Sequence, residues 1–198
     1  SALQQGASRV LCGDGISSRL DQARARGAEV IDFNAEDPVA VVQELTGGIG
    51  VDCVVDAVGV DAQRPKQGPA AEEAGEKAEQ FETERDEVAP EQDPDGDSWV
   101  PGDAPSQAAR WAVEMVAKAG RIGIIGVYPP QMTRYPIGEA MNKNLTVKMG
   151  NCNHRRYIPH LVDLVRTGAV DPATVLTQST EVSSALEAYE SFDRRESG

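Results

Sequence analysis

Gly50-Val-Asp-Cys-Val-Val-Asp-Ala-Val-Gly59 is the stretch whose reading decides the fold. Val51, Cys53, Val54 and Val55 make an apolar, β-branched run of the kind that suits a parallel strand covered on both faces. Ala57, Val58 and Gly59 follow, and small residues there let another group come close to the backbone. In open α/β sheets the ligand crevice lies outside the carboxyl ends of the strands. The end of this strand is therefore the first place to look for a ligand.

Working back towards the start, the pattern alternates. Ser1 to Gly6 reads as the tail of a helix with Gly6 as its stop. Ser8 to Asp14 is a short strand ending on an acid. Ser18 is placed to cap the next helix, and Gly27 ends it. Glu29-Val-Ile-Asp32 is a second short strand. Asp37 followed by Pro38 is an N-cap with a first-turn proline, and Val39, Val42 and Leu45 give that helix an apolar face. Strand, helix, strand, helix, strand signals a parallel, doubly wound α/β sheet.

Working forward, Asp61 to Pro105 breaks the pattern. It holds 14 acidic and 4 basic residues, ten of the excess negative charges in a chain of net charge −13. So charged a segment, poor in aliphatic residues, is expected to be a partly mobile insertion. Glu72–Glu87 within it reads as one solvated helix, and Asp93–Trp99 as turns. Regular structure resumes with a helix from Ser106, closed by Gly120, and a buried strand over Arg121–Val127. A strand at Leu145–Met149 follows. Next come a helix over about Arg155–Thr167 with Pro159 in or near its first turn, a short strand at Val175–Gln178, and a last helix carrying Leu186, Tyr189 and Phe192.

Bulk properties narrow the function classes. The net charge argues against a nucleic-acid partner. No run of 18 apolar residues reads as a membrane span, and no secretory signal opens the chain. Cys12, Cys53 and Cys152 are odd in number and widely spaced. They read as reduced, cytosolic thiols, two of them in buried strands, which gives a cytoplasmic location.

Asp14 is the sharpest candidate for chemistry. It ends a strand, precedes a helix, and stands where a dinucleotide fold places the acid that bonds the adenosine ribose hydroxyls. A carboxylate there favours NAD over a 2′-phosphorylated cofactor; a turn aspartate or helix cap is the plainer alternative. Arg19, one turn into the helix, could lie over the adenine or be a solvated arginine. Val58-Gly59, Ile125-Gly126-Val127 and Gly150-Asn151-Cys152 each end a parallel strand and together would form a nicotinamide and ribose wall. Each glycine could equally be an ordinary turn residue. The Gly-rich phosphate loop expected about 20 residues before such an acid would fall upstream of Ser1. Cys152 and His154 lack further ligands at usable spacing, so no metal site is expected. Asp93, Asp95 and Asp97 fail the calcium-loop pattern because neither the glycine nor the closing acid is in place. No catalytic residue is assigned.

Val10-Leu-Cys-Gly-Asp14, Gly27–Asp32, Gly50–Gly59 and Ala119–Tyr128 resemble the cofactor half of zinc-dependent medium-chain alcohol dehydrogenases. Gly150–Pro159 and Glu187–Arg195 look like the branch that contains glutathione-independent formaldehyde dehydrogenases. The resemblance implies an incomplete Rossmann-like domain over 1–198. It implies NAD as cofactor, with Asp14 on the adenosine ribose, Arg19 by the adenine, and Val58, Ile125, Val127, Gly150 and Cys152 lining the site. It further implies a zinc ion held outside this chain, an alcohol or aldehyde substrate, hydride transfer, and a homo-oligomer formed through 129–150.

The first strand and phosphate loop of that fold have no counterpart. Their absence would leave a gap of about 10 Å between the strands at 8–13 and 51–57. The chain is therefore expected to be a fragment, inactive alone. The alternatives are a non-catalytic nucleotide-binding or oligomerisation module derived from that fold, and a methyltransferase-type Rossmann enzyme, against which the Gly120–Tyr128 and Gly150–Pro159 motifs speak.

Overall fold

The computed structural model describes residues 2–90 and 100–193. Asp93–Trp99 lies outside the described residues. The elements alternate as expected. Strand β1 is Leu11–Asp14, helix α1 Ser17–Ala25, β2 Glu29–Asp32, α2 Pro38–Leu45 and β3 Val51–Asp56. After α3 (Ala70–Glu76) and α4 (Ala78–Val88) come α5 (Gln107–Met115), β4 (Val116–Ile124), α6 (Ile137–Asn142) and β5 (Thr146–Met149). Helices α7 (His154–Arg166) and α8 (Ala185–Asp193) follow. The architecture is α/β and Rossmann-like. β3 pairs with β4, and β4 with β5, both in parallel.

The described strands fall into two sheets, β1-β2 and β3-β4-β5. The chain likewise divides into two compact units. One comprises Ser1–Val30 with Asn153–Gly198, the other Ile31–Cys152.

In the first unit Gly6 stops a single 3-10 turn, Leu3–Gln5, in the left-handed conformation. Helix α1 lacks the serine cap read from the sequence. Its N-cap is Ile16, with no side-chain bond. Instead Asp14 Oδ1 accepts from the Gly15 and Ile16 amides at 2.8 and 2.9 Å, and so shapes the turn ahead of the helix. Pro159 falls inside α7 rather than in its first turn, because the helix already starts at His154 below an Asn153 cap. Val175 closes a 3-10 turn, Pro172–Val175, and no strand forms at 175–178. Asp171 accepts from the Ala173 amide there, and this aspartate–proline turn outcompetes the β-propensity of Val175.

The second unit contains the main core. Ala112, Val113, Val116, Ile122, Ile124 and Ala140 are buried together, with Val54, Tyr128, Tyr135, Leu145 and Val147 packed against them. Full burial of a Val or Ile side chain stabilises by about 1.5–3 kcal/mol, so four such residues anchor β4 and α5. Asp37 caps α2 by accepting from the Val39 and Ala40 amides, with Pro38 in the first turn as expected.

Other parts of the chain depart from the sequence expectations. The strand at 51–56 is not covered on both faces. It lies at the edge of its three-stranded sheet, Cys53 is exposed, and Val55 is 65% exposed. Cys12 is only half-buried. Helix α5 ends at Met115, not near Gly120, and β4 begins at Val116. The register between β3 and β4 shifts between the Val51–Val116 and Cys53–Arg121 pairs. The extra residues form an irregularity in which Ala119 takes a positive φ of 60°. Finally, Glu72–Glu87 is not one solvated helix. Two helices, α3 and α4, meet at Lys77, and Ala74, Phe81, Glu84 and Val88 are buried. One Phe and one Val at i and i+7 suffice to seat α4, even amid so many charges.

Candidate functional site

At the C-terminal ends of β3 and β4 the two backbones cross in near contact. Val127 bridges to Gly59 as an isolated parallel pair, and the Val60 amide donates to the Val127 carbonyl at 3.0 Å. Gly59 has φ +69°, and a Cβ on it would overlap the Val127 backbone. A Cβ on Gly126 would overlap the Gly59 backbone in turn. Neither glycine is an ordinary turn residue; each is required by the approach of the other strand. The crossing leaves the flanking side chains facing outward: Val58 is 46%, Ile125 72% and Val127 74% exposed. Three uncovered aliphatic residues around a backbone crossing, at the carboxyl edge of parallel strands, make a flat apolar rim against which a ring could lie.

The crossing is held by a residue that the sequence reading passed over. Asp56, the last residue of β3, is 4% exposed. Its Oδ1 accepts from the Val58 and Gly59 amides, each at 3.0 Å. Its Oδ2 accepts from the Tyr128 hydroxyl at 2.6 Å. Its carbonyl accepts from the Ile125 and Gly126 amides at 2.9 and 3.0 Å. Burial, and then the Asp56 charge, push the Tyr128 hydroxyl well above its ordinary value, so it stays a donor. The signal available in the sequence was the second aspartate of β3, which closes the strand just ahead of a small-residue turn.

Gly150, Asn151 and Cys152 follow β5, which pairs with β4, and all three are exposed. Gly150 has φ +128°. Thus Val58, Gly59, Ile125, Gly126 and Val127 come together at one crossing, and 150–152 extend from the neighbouring strand of the same sheet.

Asp14 and Arg19 belong to the first unit. Asp14 commits Oδ1 to its turn, and its Oδ2 stands 4.0 Å from the Arg19 guanidinium, which is partly exposed. Cys12, two residues earlier, is a half-buried free thiol. Burial, and then the Asp14 charge, raise its thiol above the ordinary range.

Among the described residues no group of three or more His, Cys, Asp or Glu side chains is placed to hold a metal ion. The described part of this chain thus offers no donor set that fits zinc. No described helix is long and apolar enough to cross a membrane.

The fold is Rossmann-like α/β, with an apolar rim at the carboxyl ends of β3 and β4. The family model for zinc-binding dehydrogenase matches residues 1–67. An uncharacterised zinc-type alcohol dehydrogenase-like protein of Bacillus subtilis is 30% identical, over 96% of this chain and 44% of its own length. A zinc-type alcohol dehydrogenase-like protein of Schizosaccharomyces pombe is 26% identical, over 98% of this chain and 40% of its own. Among solved structures, an alcohol dehydrogenase of Thermus sp. ATN1 superposes with a TM-score of 0.69 at 26% identity, covering 98% of this chain and 44% of that one. The chain is thus similar to zinc-type alcohol dehydrogenases, and it spans less than half the length of the relatives it matches.

Proposed function

We propose that this chain is the cofactor-binding portion of an NAD- and zinc-dependent alcohol or aldehyde dehydrogenase, of the formaldehyde-oxidising type. The observation that carries the reading is the Gly59–Gly126 crossing, with Val58, Ile125 and Val127 exposed around it. Such a surface suits one face of a nicotinamide ring, which when bound supplies the hydride acceptor or donor. The protein's part is to seat the ring on the apolar rim and keep water from that face. Gly150, Asn151 and Cys152 supply exposed backbone and an amide side chain for ribose hydroxyls. Asp14 Oδ2 would accept from the adenosine ribose, and Arg19 would lie by the adenine. Any catalytic zinc, and the substrate pocket with it, would be held by protein beyond this chain. The chain alone would then bind cofactor and turn over nothing.

The edge position of β5, with Ile137, Met141 and Met149 exposed near it in sequence, supports a homo-oligomer formed through 129–150. The cysteine usage, three widely spaced free thiols, supports a cytoplasmic protein.

Titrating the purified chain with NADH, following nicotinamide fluorescence, tests the cofactor reading, with S-adenosylmethionine as the competing dinucleotide-fold ligand. Saturable NADH binding without S-adenosylmethionine binding is expected. Binding of S-adenosylmethionine alone would replace the dehydrogenase reading with a methyltransferase one.

A further inference from the structure

Asp56 is a buried carboxylate at the ligand edge, and among the described residues no salt bridge reaches it. A buried charge without a counter-ion is costly unless hydrogen bonds satisfy it. Here the carboxylate takes three donors: the Val58 and Gly59 amides and the Tyr128 hydroxyl. Two belong to the turn that follows β3, and the third comes from beyond the end of β4. The Asp56 carbonyl takes two more donors from Ile125 and Gly126. One residue thus holds both sides of the crossing, and every residue it holds is either in the rim or next to it.

We propose that Asp56 is the positioning residue of the cofactor rim, fixing Val58–Gly59 against Gly126–Val127, with Tyr128 as its tether. The rim is therefore pre-formed and loses little entropy when the ring arrives. This role rests on the NAD reading above. An asparagine can replace the aspartate, because its amide oxygen accepts from the two backbone amides and its NH₂ donates to the tyrosine oxygen. An alanine can do neither. The negative charge is therefore not what positions the rim; the set of bonds is.

The test combines NADH titration with residue-resolved amide exchange on the chain and three variants. Asp56→Ala should weaken NADH binding by about tenfold to a hundredfold. It should speed exchange at Val58 and Gly59, while Ile122–Ile124 stay protected. Asp56→Asn should keep both the affinity and the protection. Tyr128→Phe should show an intermediate loss of each, and it carries the test if Asp56→Ala does not fold. Wild-type affinity in Asp56→Ala, or in Tyr128→Phe when the alanine variant is unfolded, overturns the proposal. So does an Asp56→Asn variant as weak as the alanine. If the wild-type chain binds no NADH, the cofactor reading falls and the positioning role for NAD falls with it. Faster exchange at Val58 and Gly59 in Asp56→Ala would then identify Asp56 as a holder of the crossing alone. Binding by the wild-type chain with no effect of Asp56→Ala removes only the positioning role.

Discussion

Gly126 and Gly59 are the residues where substitution is least forgiving, because each would drive a Cβ into the opposite backbone. Gly126→Ala is expected to cost about 3 kcal/mol, read as a lowered urea midpoint. A cost within about 0.5 kcal/mol would mean that the crossing is looser than described. Tyr128 offers a pH signature. Its folded-state value lies above the ordinary phenol value of about 10, through burial and then the Asp56 charge. The unfolded chain gives up the phenol proton above about pH 10 while the folded chain keeps it, so this share of stability is full below pH 10 and lost as pH rises beyond. Melting temperatures from pH 8 to 11 should fall more steeply at the alkaline end for wild type than for Tyr128→Phe; parallel curves would count against the buried Asp56–Tyr128 bond. The sequence announced the glycines, since small residues at strand ends are conspicuous. It did not announce why they are needed, because two backbones 67 residues apart in sequence meet there. Asp56 was hidden for the same reason: its partner Tyr128 comes from another strand end.

Among the elements, the succession of strands and helices was legible wherever caps and apolar spacing agreed, as at Asp37-Pro38 and over Ala109, Ala112 and Val113. It failed where a tertiary bond outweighed local preference. Helix α5 stops at Met115 partly because its last carbonyls are met from outside: Lys143 Nζ donates to Val113 O, Glu114 O and Val116 O at 2.7, 3.0 and 3.3 Å. A lysine serving a helix end in this way adds both hydrogen bonds and a favourable charge at the negative end of the dipole. Lys143→Met keeps the stem and removes the donors, and it is expected to cost about 1–2 kcal/mol, measured by thermal unfolding. An unchanged melting temperature would show that water satisfies those carbonyls equally well. The acidic segment misled for a different reason. Composition counts charges over the whole stretch, whereas seating α4 needs only the face bearing Phe81, Glu84 and Val88.

For the molecule as a whole, the parallel α/β plan was readable from the alternation alone, and the described strands form two sheets, β1-β2 and β3-β4-β5. What the sequence could not convey was how much apolar surface stays uncovered. Val55 on β3 and, in the other unit, Leu161 and Val165 on α7 and Tyr189 and Phe192 on α8 are exposed. The central claim concerns the rim, and amide chemical-shift mapping of the chain during an NADH titration tests it most directly. The account predicts saturable shifts concentrated at Asp14–Arg19, Val58–Gly59, Ile125–Val127 and Gly150–Cys152. Shifts confined to α7 and α8, or none that saturate, would contradict it.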